Sequence, residues 1–198
     1  MQILVAGATG KTGLRLVREL ISRGHHVIAL VREESDTDAL PDEVALRQAD
    51  LTDLPDDVCR GCDTVVFAAG SGGDTSKEMT DAVDRRGAMR LVDLALGAEV
   101  GRFVMLSTIG AGDPDPDSDL AHYLEAKHDA DEYLEASGLT FAILRPVSLT
   151  DEDGGGNVQL GDEVDPGATA ARGDVARVLA DAVEDPDWAG AVLRMQSA

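Results

Sequence analysis

The chain has 198 residues, 43% of them hydrophobic, which suits one folded domain with a core of its own. It carries 38 acidic against 17 basic residues, a net charge of −21, which argues against nucleic acid or an anionic membrane as a partner. No apolar run reaches the ~18 residues of a membrane span, and residues 1–6 lead straight into a strand and a glycine turn rather than reading as a secretion signal, so a soluble cytoplasmic protein is expected.

Strand and helix signals alternate from end to end. Residues 2–6 are a short apolar run, a buried strand. Residues 11–23 read as an amphipathic helix with Leu14, Val17, Leu20 and Ile21 on one face, stopped by Gly24. Strands are expected at 26–31, 44–48 and 64–69. A long helix comes next over 78–96, with Met79, Val83, Gly87, Leu91 and Ala95 along one stripe. Then come a strand at 103–107, a helix at 121–136 ended by Ser137-Gly138, a strand at 140–144, a helix at 173–183 and a strand at 191–195. Nearly all-apolar strands between helices imply a mainly parallel sheet covered on both faces: an α/β fold, one doubly wound Rossmann domain over residues 1–198. Two long loops, 110–120 and 150–164, come after strands, so both belong to the substrate side. Asp113, Asp115, Asp117 and Asp119 read as an extended, solvated stretch of the first. Gly154, Gly155 and Gly156 make the second mobile, as a lid requires.

The first strand ends in Gly7-Ala8-Thr9-Gly10-Lys11-Thr12-Gly13, directly before a helix. The first glycine allows a tight turn, the second lets a phosphate approach the backbone, and the third lets helix pack on sheet. The helix N-terminus then offers free N–H groups to a diphosphate. This reads as a dinucleotide site with Gly7, Thr9, Gly10, Lys11, Thr12 and Gly13 around the phosphates. The second strand ends in Val31-Arg32, where an NAD site has an acid on the ribose hydroxyl. An arginine fork suits a 2′-phosphate, so NADP(H) is preferred to NAD(H), although Glu33 and Glu34 stand next to it.

Those motifs, with Leu30-Val31-Arg32, Asp50-Leu51-Thr52-Asp53, the run 66–73, the run 103–110 and Leu144-Arg145-Pro146, resemble the atypical short-chain dehydrogenase/reductases, the small NAD(P)-binding group near biliverdin reductase B and NmrA. The resemblance covers nearly the whole chain. It implies that Asp50 and Leu51 meet the adenine, that Ala68, Ala69 and Gly70 line the ribose and diphosphate, and that Pro146 and Val147 flank the nicotinamide. Read by itself, Asp50 serves equally well as a turn or helix cap beside Thr52 and Asp53.

Tyr123 and Lys127 form a Tyr-x-x-x-Lys on one helix face. The ammonium is expected to favour the phenolate and lower the tyrosine pKa, fitting Tyr123 to exchange the proton that accompanies hydride transfer. Lys127 also reaches toward the nicotinamide ribose. Ser107, at a strand end, is placed to hold a substrate carbonyl. With only three lysines in the chain, Lys11, Lys77 and Lys127, each is expected to have a task. Cys59 and Cys62 lack a second ligand pair for zinc and read as structural. His122 and His128 read as solvated. Asp151-Glu152-Asp153-Gly154 lacks the terminal acid of a calcium loop, so no metal is expected. The leading function is an NADP-dependent oxidoreductase reducing a small carbonyl, flavin or quinone-like acceptor, as a monomer or homodimer. The alternatives are a non-catalytic NADP(H) sensor and a sugar-nucleotide epimerase or dehydratase, the latter disfavoured by the short stretch after Pro146.

Asp outnumbers Glu by 26 to 12, and only 3% of residues are aromatic, the composition of a salt-adapted surface. Self-repulsion at −21 opposes the compact state in dilute buffer and is screened by salt. The melting temperature is expected to rise steadily between low and multimolar KCl, as read by circular dichroism; a flat profile would contradict salt adaptation.

Overall fold

The first strand, β1 (Gln2–Ala6), shows how the sheet is built. Successive side chains alternate between its faces. Ile3 and Val5 join one core cluster, and Leu4 and Ala6 join another on the opposite side. Both sets are fully buried, so helices must cover both faces. The computed structural model describes residues 1–72, 75–113, 117 and 119–198; the expectations that fell on Gly73 and Asp115 lie outside these.

β1 pairs in parallel with β2 (His26–Val31) on one side and β4 (Thr64–Phe67) on the other. The sheet extends outward to β3 (Ala45–Gln48) beyond β2. Beyond β4 lie β5 (Arg102–Leu106), β6 (Phe141–Pro146) and β10 (Ala191–Ser197). A short edge strand, β8 (Val158–Leu160), closes it antiparallel to β10. The order is β3-β2-β1-β4-β5-β6-β10-β8. The chain therefore reverses its direction of travel across the sheet at β1 and β4, and a crevice opens above their C-terminal ends. Two helices, α1 (Lys11–Ser22) and α5 (Arg172–Glu184), cover the Ile3 face through Leu16, Leu20, Val175 and Leu179. The Leu4 face is covered by α3 (Ala88–Gly97) and α4 (Ala121–Ala136), through Leu91, Ala95, Ala130 and Leu134. The α/β, doubly wound architecture is the one expected.

Two expectations need correction. The helix foreseen over 78–96 is not uniform. It runs as α2 (Lys77–Thr80), a π-helical stretch over Asp81–Gly87, and then α3. The wider π turn rotates α3 relative to α2, so no single stripe runs the length of the helix. Met79 is 46% exposed, while Thr80, Asp84 and Gly87 are the buried positions. Gly87 allows the rotation, since a Cβ there would lie 2.9 Å from the Leu51 carbonyl oxygen.

The second correction concerns the segment 150–164. It contains β8, and its start completes β7 (Ser148–Thr150), which pairs in parallel with β9 (Thr169–Ala171). Its acids are held by cations distant in sequence. Asp151 meets Lys11 and Arg172, and Asp153 meets Arg15. Asp174 accepts from the Gly156 N–H, Ser197 Oγ and Arg177. Of the three glycines, Gly154 allows close packing under these ties, since a Cβ there would overlap the Asp174 carboxylate, while Gly155 and Gly156 stand in open space. The segment is a tethered loop against α1 and α5 rather than a free lid. Among the described residues no helix is long and apolar enough to cross a membrane.

A Cβ at Gly13 would stand 2.0 Å from the Gly7 carbonyl oxygen, a backbone atom that cannot step aside. Gly13→Ala is therefore expected to lower the unfolding free energy by about 1–3 kcal/mol, the range for overpacking a tight interior. A urea midpoint equal to wild type would show that α1 can shift without cost.

Candidate functional site

The turn between β1 and α1 is shaped by its glycines. Gly7 has a φ of +83°, in the left-handed region that favours glycine. A Cβ on it would meet the Ala69 nitrogen at 2.6 Å and the Ala68 carbonyl at 2.7 Å. The turn closes with Gly10 N–H donating to the Gly7 oxygen at 3.0 Å. Gly10 caps α1 without a side chain, and no acid stands in the helix's first turn. The positive helix end is thus left open to an anion.

A cavity of about 690 Å³ lies over this turn and the ends of β4, β5 and β6. Of the residues singled out in the sequence, Gly10, Lys11 and Thr12 line it from α1. Ala68, Ala69 and Gly70 line it from the end of β4. Ser107, Tyr123, Lys127, Pro146 and Val147 complete the far wall. Gly7 and Gly13 lie beneath, as packing contacts. All three lysines of the chain, Lys11, Lys77 and Lys127, line this one cavity, and Arg172 joins them.

Thr9, expected at the phosphates, is exposed in the turn and does not line the cavity. The residues assigned to the adenine end also stand outside it. Arg32 is exposed, with Glu34 3.3 Å away. Leu51 is half-buried and packs beside Gly87. Asp50 Oδ1 accepts from both the N–H and the hydroxyl of Thr52 at 2.7 Å, which holds its carboxyl below the usual range. That is the turn-capping role, and its other oxygen remains for a ligand.

The Tyr–Lys pair departs from expectation. Tyr123 and Lys127 do share a face, with the Lys127 Nζ 5.9 Å from the centre of the Tyr123 ring. The tyrosine pKa is nevertheless raised. Burial disfavours the phenolate and outweighs Lys127, and the charges of Asp84 and Asp131 add to burial. Asp84, fully buried in the π turn, sits 3.1 Å from Lys127 Nζ. Burial works against the Lys127 ammonium, but Asp84 more than compensates and holds it above the ordinary lysine range. Tyr123 is thus a neutral phenol, a proton donor.

Ser107 also differs. Its hydroxyl donates to Asp131 Oδ2 at 2.7 Å, and Arg145 Nε donates to the same oxygen at 2.9 Å. Burial pushes the Asp131 carboxyl up, while Ser107 and Arg145 pull it down. Ser107 therefore turns its lone pairs, not its proton, to the cavity. His122 is less solvated than expected: its Nε2 donates to the Lys77 carbonyl at 3.1 Å and joins α4 to α2. His128 Nδ1 donates to the Ala111 carbonyl at 2.7 Å. Cys59 and Cys62 are buried free thiols, and burial pushes Cys59 up to about 12 and raises Cys62 as well, so neither is a nucleophile at neutral pH.

Asp84 and Asp131 belong to no motif of the sequence, and Arg145 stands in the Leu144-Arg145-Pro146 motif without a role assigned to it there. Two carry a faint signal: Asp131 stands one turn after Lys127, and Arg145 sits inside a core strand; Asp84, among the charged residues of 77–87, carries none. The phenol can be tested directly. With Tyr133→Phe, Tyr123 is the sole tyrosine. Its absorbance near 295 nm is expected to rise only above the ordinary midpoint of 10.0; a midpoint below that would restore the activated phenolate.

With the geometry in place, comparisons locate its relatives. The model of the NAD(P)H-binding family matches residues 7–186. The uncharacterized sugar epimerase YhfK of Bacillus subtilis is 37% identical over 187 residues, covering 90% of this chain and 86% of that protein. A Bacillus halodurans structure named as a candidate NAD-dependent epimerase/dehydratase superposes with a TM-score of 0.94 at 34% identity, over 100% of this chain and 94% of that one. The oxidoreductase ylbE of Lactococcus lactis superposes with a TM-score of 0.88 at 30% identity, over 100% and 91% of the two chains. Glycine turn, cavity and relatives agree, and the chain belongs to the NAD(P)H-binding family.

Proposed function

We propose that the protein is an NADPH-dependent reductase of the short-chain dehydrogenase/reductase type, acting on a small carbonyl, flavin or quinone-like acceptor. The observation that carries the reading is the gathering of every lysine into one cavity of a chain with net charge −21. Such a cluster in a polyanion fits a ligand bearing several phosphates. The cradle fits too: Gly10 lines the cavity without a side chain, and the open end of α1 supplies N–H groups for a diphosphate. Lys11 and Thr12 would hold the diphosphate, Lys127 the nicotinamide ribose, Pro146 and Val147 the ring, and Arg32 the 2′-phosphate. Arg32 is exposed at the end of β2 beside Glu34 and within electrostatic reach of Asp50, and a guanidinium at that position supports NADP(H) over NAD(H).

When bound, the reduced nicotinamide supplies a hydride. Tyr123 donates its proton to the acceptor atom that gains negative charge. The phenolate so formed is stabilised by Lys127 and regains a proton from water entering the cavity. Ser107, its proton held by Asp131, accepts from a donor group of the ligand and so orients it. The names of the Bacillus relatives favour a second reading, epimerisation of a sugar at the same cavity. The acid-rich surface supports a salt-rich cytoplasm as the setting and solubility there as monomer or homodimer.

Titration of the NADPH fluorescence in multimolar KCl is expected to show tight binding, with NADH weaker by tenfold or more. Arg32→Ala should cost NADPH about tenfold and leave NADH nearly unchanged, since one phosphate contact is lost. Tyr123→Phe should lower kcat by about 10²-fold or more while leaving NADPH binding intact. Equal losses for both cofactors would overturn the 2′-phosphate assignment. Undiminished turnover in Tyr123→Phe would overturn the acid, and turnover of a UDP-sugar without net NADPH consumption would establish the epimerase reading instead.

A further inference from the structure

Lys127 is only 3% exposed, and an isolated ammonium at such a depth ordinarily sheds its proton. Its surroundings prevent this. An ammonium has three N–H donors. One faces Asp84 Oδ1 at 3.1 Å, and one lies toward the Ala69 carbonyl at 3.4 Å. The Phe67 ring centre, 5.5 Å away, closes another side. The side that remains borders the cavity.

Asp84 is itself fixed. It is fully buried, and its Oδ2 accepts from the Ser71 N–H at 3.0 Å. Gly70 leaves it room, since a Cβ there would lie 3.3 Å from Asp84 Oδ1. Its neighbour Arg85 turns away, to Asp81 and Asp129. The other groups facing Lys127 are the neutral Tyr123 and Asp131, and Asp131 is already bound to Ser107 and Arg145. His122 is tied to Lys77 and Asp81 at the rim. Asp84 is thus the nearest acid to the ammonium, and the π turn is what brings it there.

We propose that Asp84 is a positioning residue: its carboxylate keeps Lys127 charged inside the protein and aims the one uncommitted N–H at an oxygen acceptor in the cavity, a ribose hydroxyl of the dinucleotide. The charge part stands without any ligand; the aiming part rests on the dinucleotide reading above.

The chain's three lysines make the test clean. Lysine labelled with ¹³C at Cε gives three signals, assigned through Lys11→Arg and Lys77→Arg. In the wild type the Lys127 signal is expected to keep its protonated shift beyond the ordinary value of 10.5. In Asp84→Asn its midpoint should fall by about one pH unit or more. A wild-type midpoint below 10.5, or an unchanged midpoint in a folded Asp84→Asn protein, would overturn the proposal. If Asp84→Asn does not fold, the double variant with Lys127→Met decides: recovered folding supports a role through the lysine charge, and continued failure overturns it. Added NADPH should shift the Lys127 signal, and Asp84→Asn should weaken NADPH about tenfold. NADPH that binds without either effect would overturn the aiming part. NADPH that does not bind wild type at all would remove the dinucleotide reading while the titration stands.

Discussion

The approach of Gly13 to the Gly7 carbonyl, too close for any side chain, sets the geometry that the site depends on. It lets α1 start directly on the end of β1, and only a helix seated there can aim its first N–H groups into the crevice. The same turn sets the spacing to the next strand. Gly7 packs on the backbone of Ala68 and Ala69 at the end of β4, and the Ala69 carbonyl is one of the groups that hold Lys127. A steric limit at residue 7 is thereby transmitted to an ammonium 120 positions later. Glycine at this turn is both a local conformational need and the origin of the distance between the start of α1 and the buried Lys127.

Buried charge is the second constraint, and it opposes stability rather than adding to it. Two ionic groupings lie under the cavity: Asp84 with Lys127, and Asp131 with Arg145 and Ser107. Burying such ions costs several kcal/mol each before their attraction is counted, and apolar replacements of the same volume are often at least as stable. Their placement is therefore best explained by the site. One pair keeps a lysine charged, and the other fixes the direction of a serine proton. The π turn belongs with them, since an extra residue in a helical turn sacrifices regular bonding. Here it brings Asp84 to the cavity floor and leaves Met79 in solvent. Local regularity is given up beside the cavity, while the central strands β1, β2 and β4 keep the plain buried pattern of a sheet covered on both faces.

That contrast explains how much is legible in the sequence. The strands are legible because each is an apolar run between breakers, and the glycine turn because Gly7, Gly10 and Gly13 stand in the one context that gives them meaning. The scarcity of lysine is informative as well: a residue type thinned from the surface survives only where it lines the cavity. The illegible features depend on pairings across long stretches of chain. Asp151 and Asp153 read as a calcium-like stretch before mobile glycines, and nothing local shows that Lys11, Arg15 and Arg172 are brought beside them. The Tyr-x-x-x-Lys spacing is local, so it is visible; the burial that raises the tyrosine, and the Asp84 that adds to it from 43 residues upstream of the lysine, are not. Periodicity reports which face is buried. It does not report a change of period within one helix, and Asp84 lies inside such a change.

The acidity of the whole and the basicity of the cavity act at different ranges. At low salt the field of a −21 chain repels an anionic dinucleotide over tens of ångströms, and the few cations of the cavity are felt only nearby. At about 1 M salt the screening length shrinks to about 3 Å, which removes the long-range repulsion. A contact between a ribose oxygen and the buried Lys127 would be made at or below that length and away from bulk solvent, so it would be weakened far less than one to the exposed Lys11. Salt therefore separates two effects that act against each other in dilute buffer. A surface dominated by Asp keeps the protein hydrated, and the buried Lys127 retains its attraction for a ligand oxygen. In dilute buffer the same surface opposes the approach of an anionic ligand to the cavity, and added salt relieves that opposition.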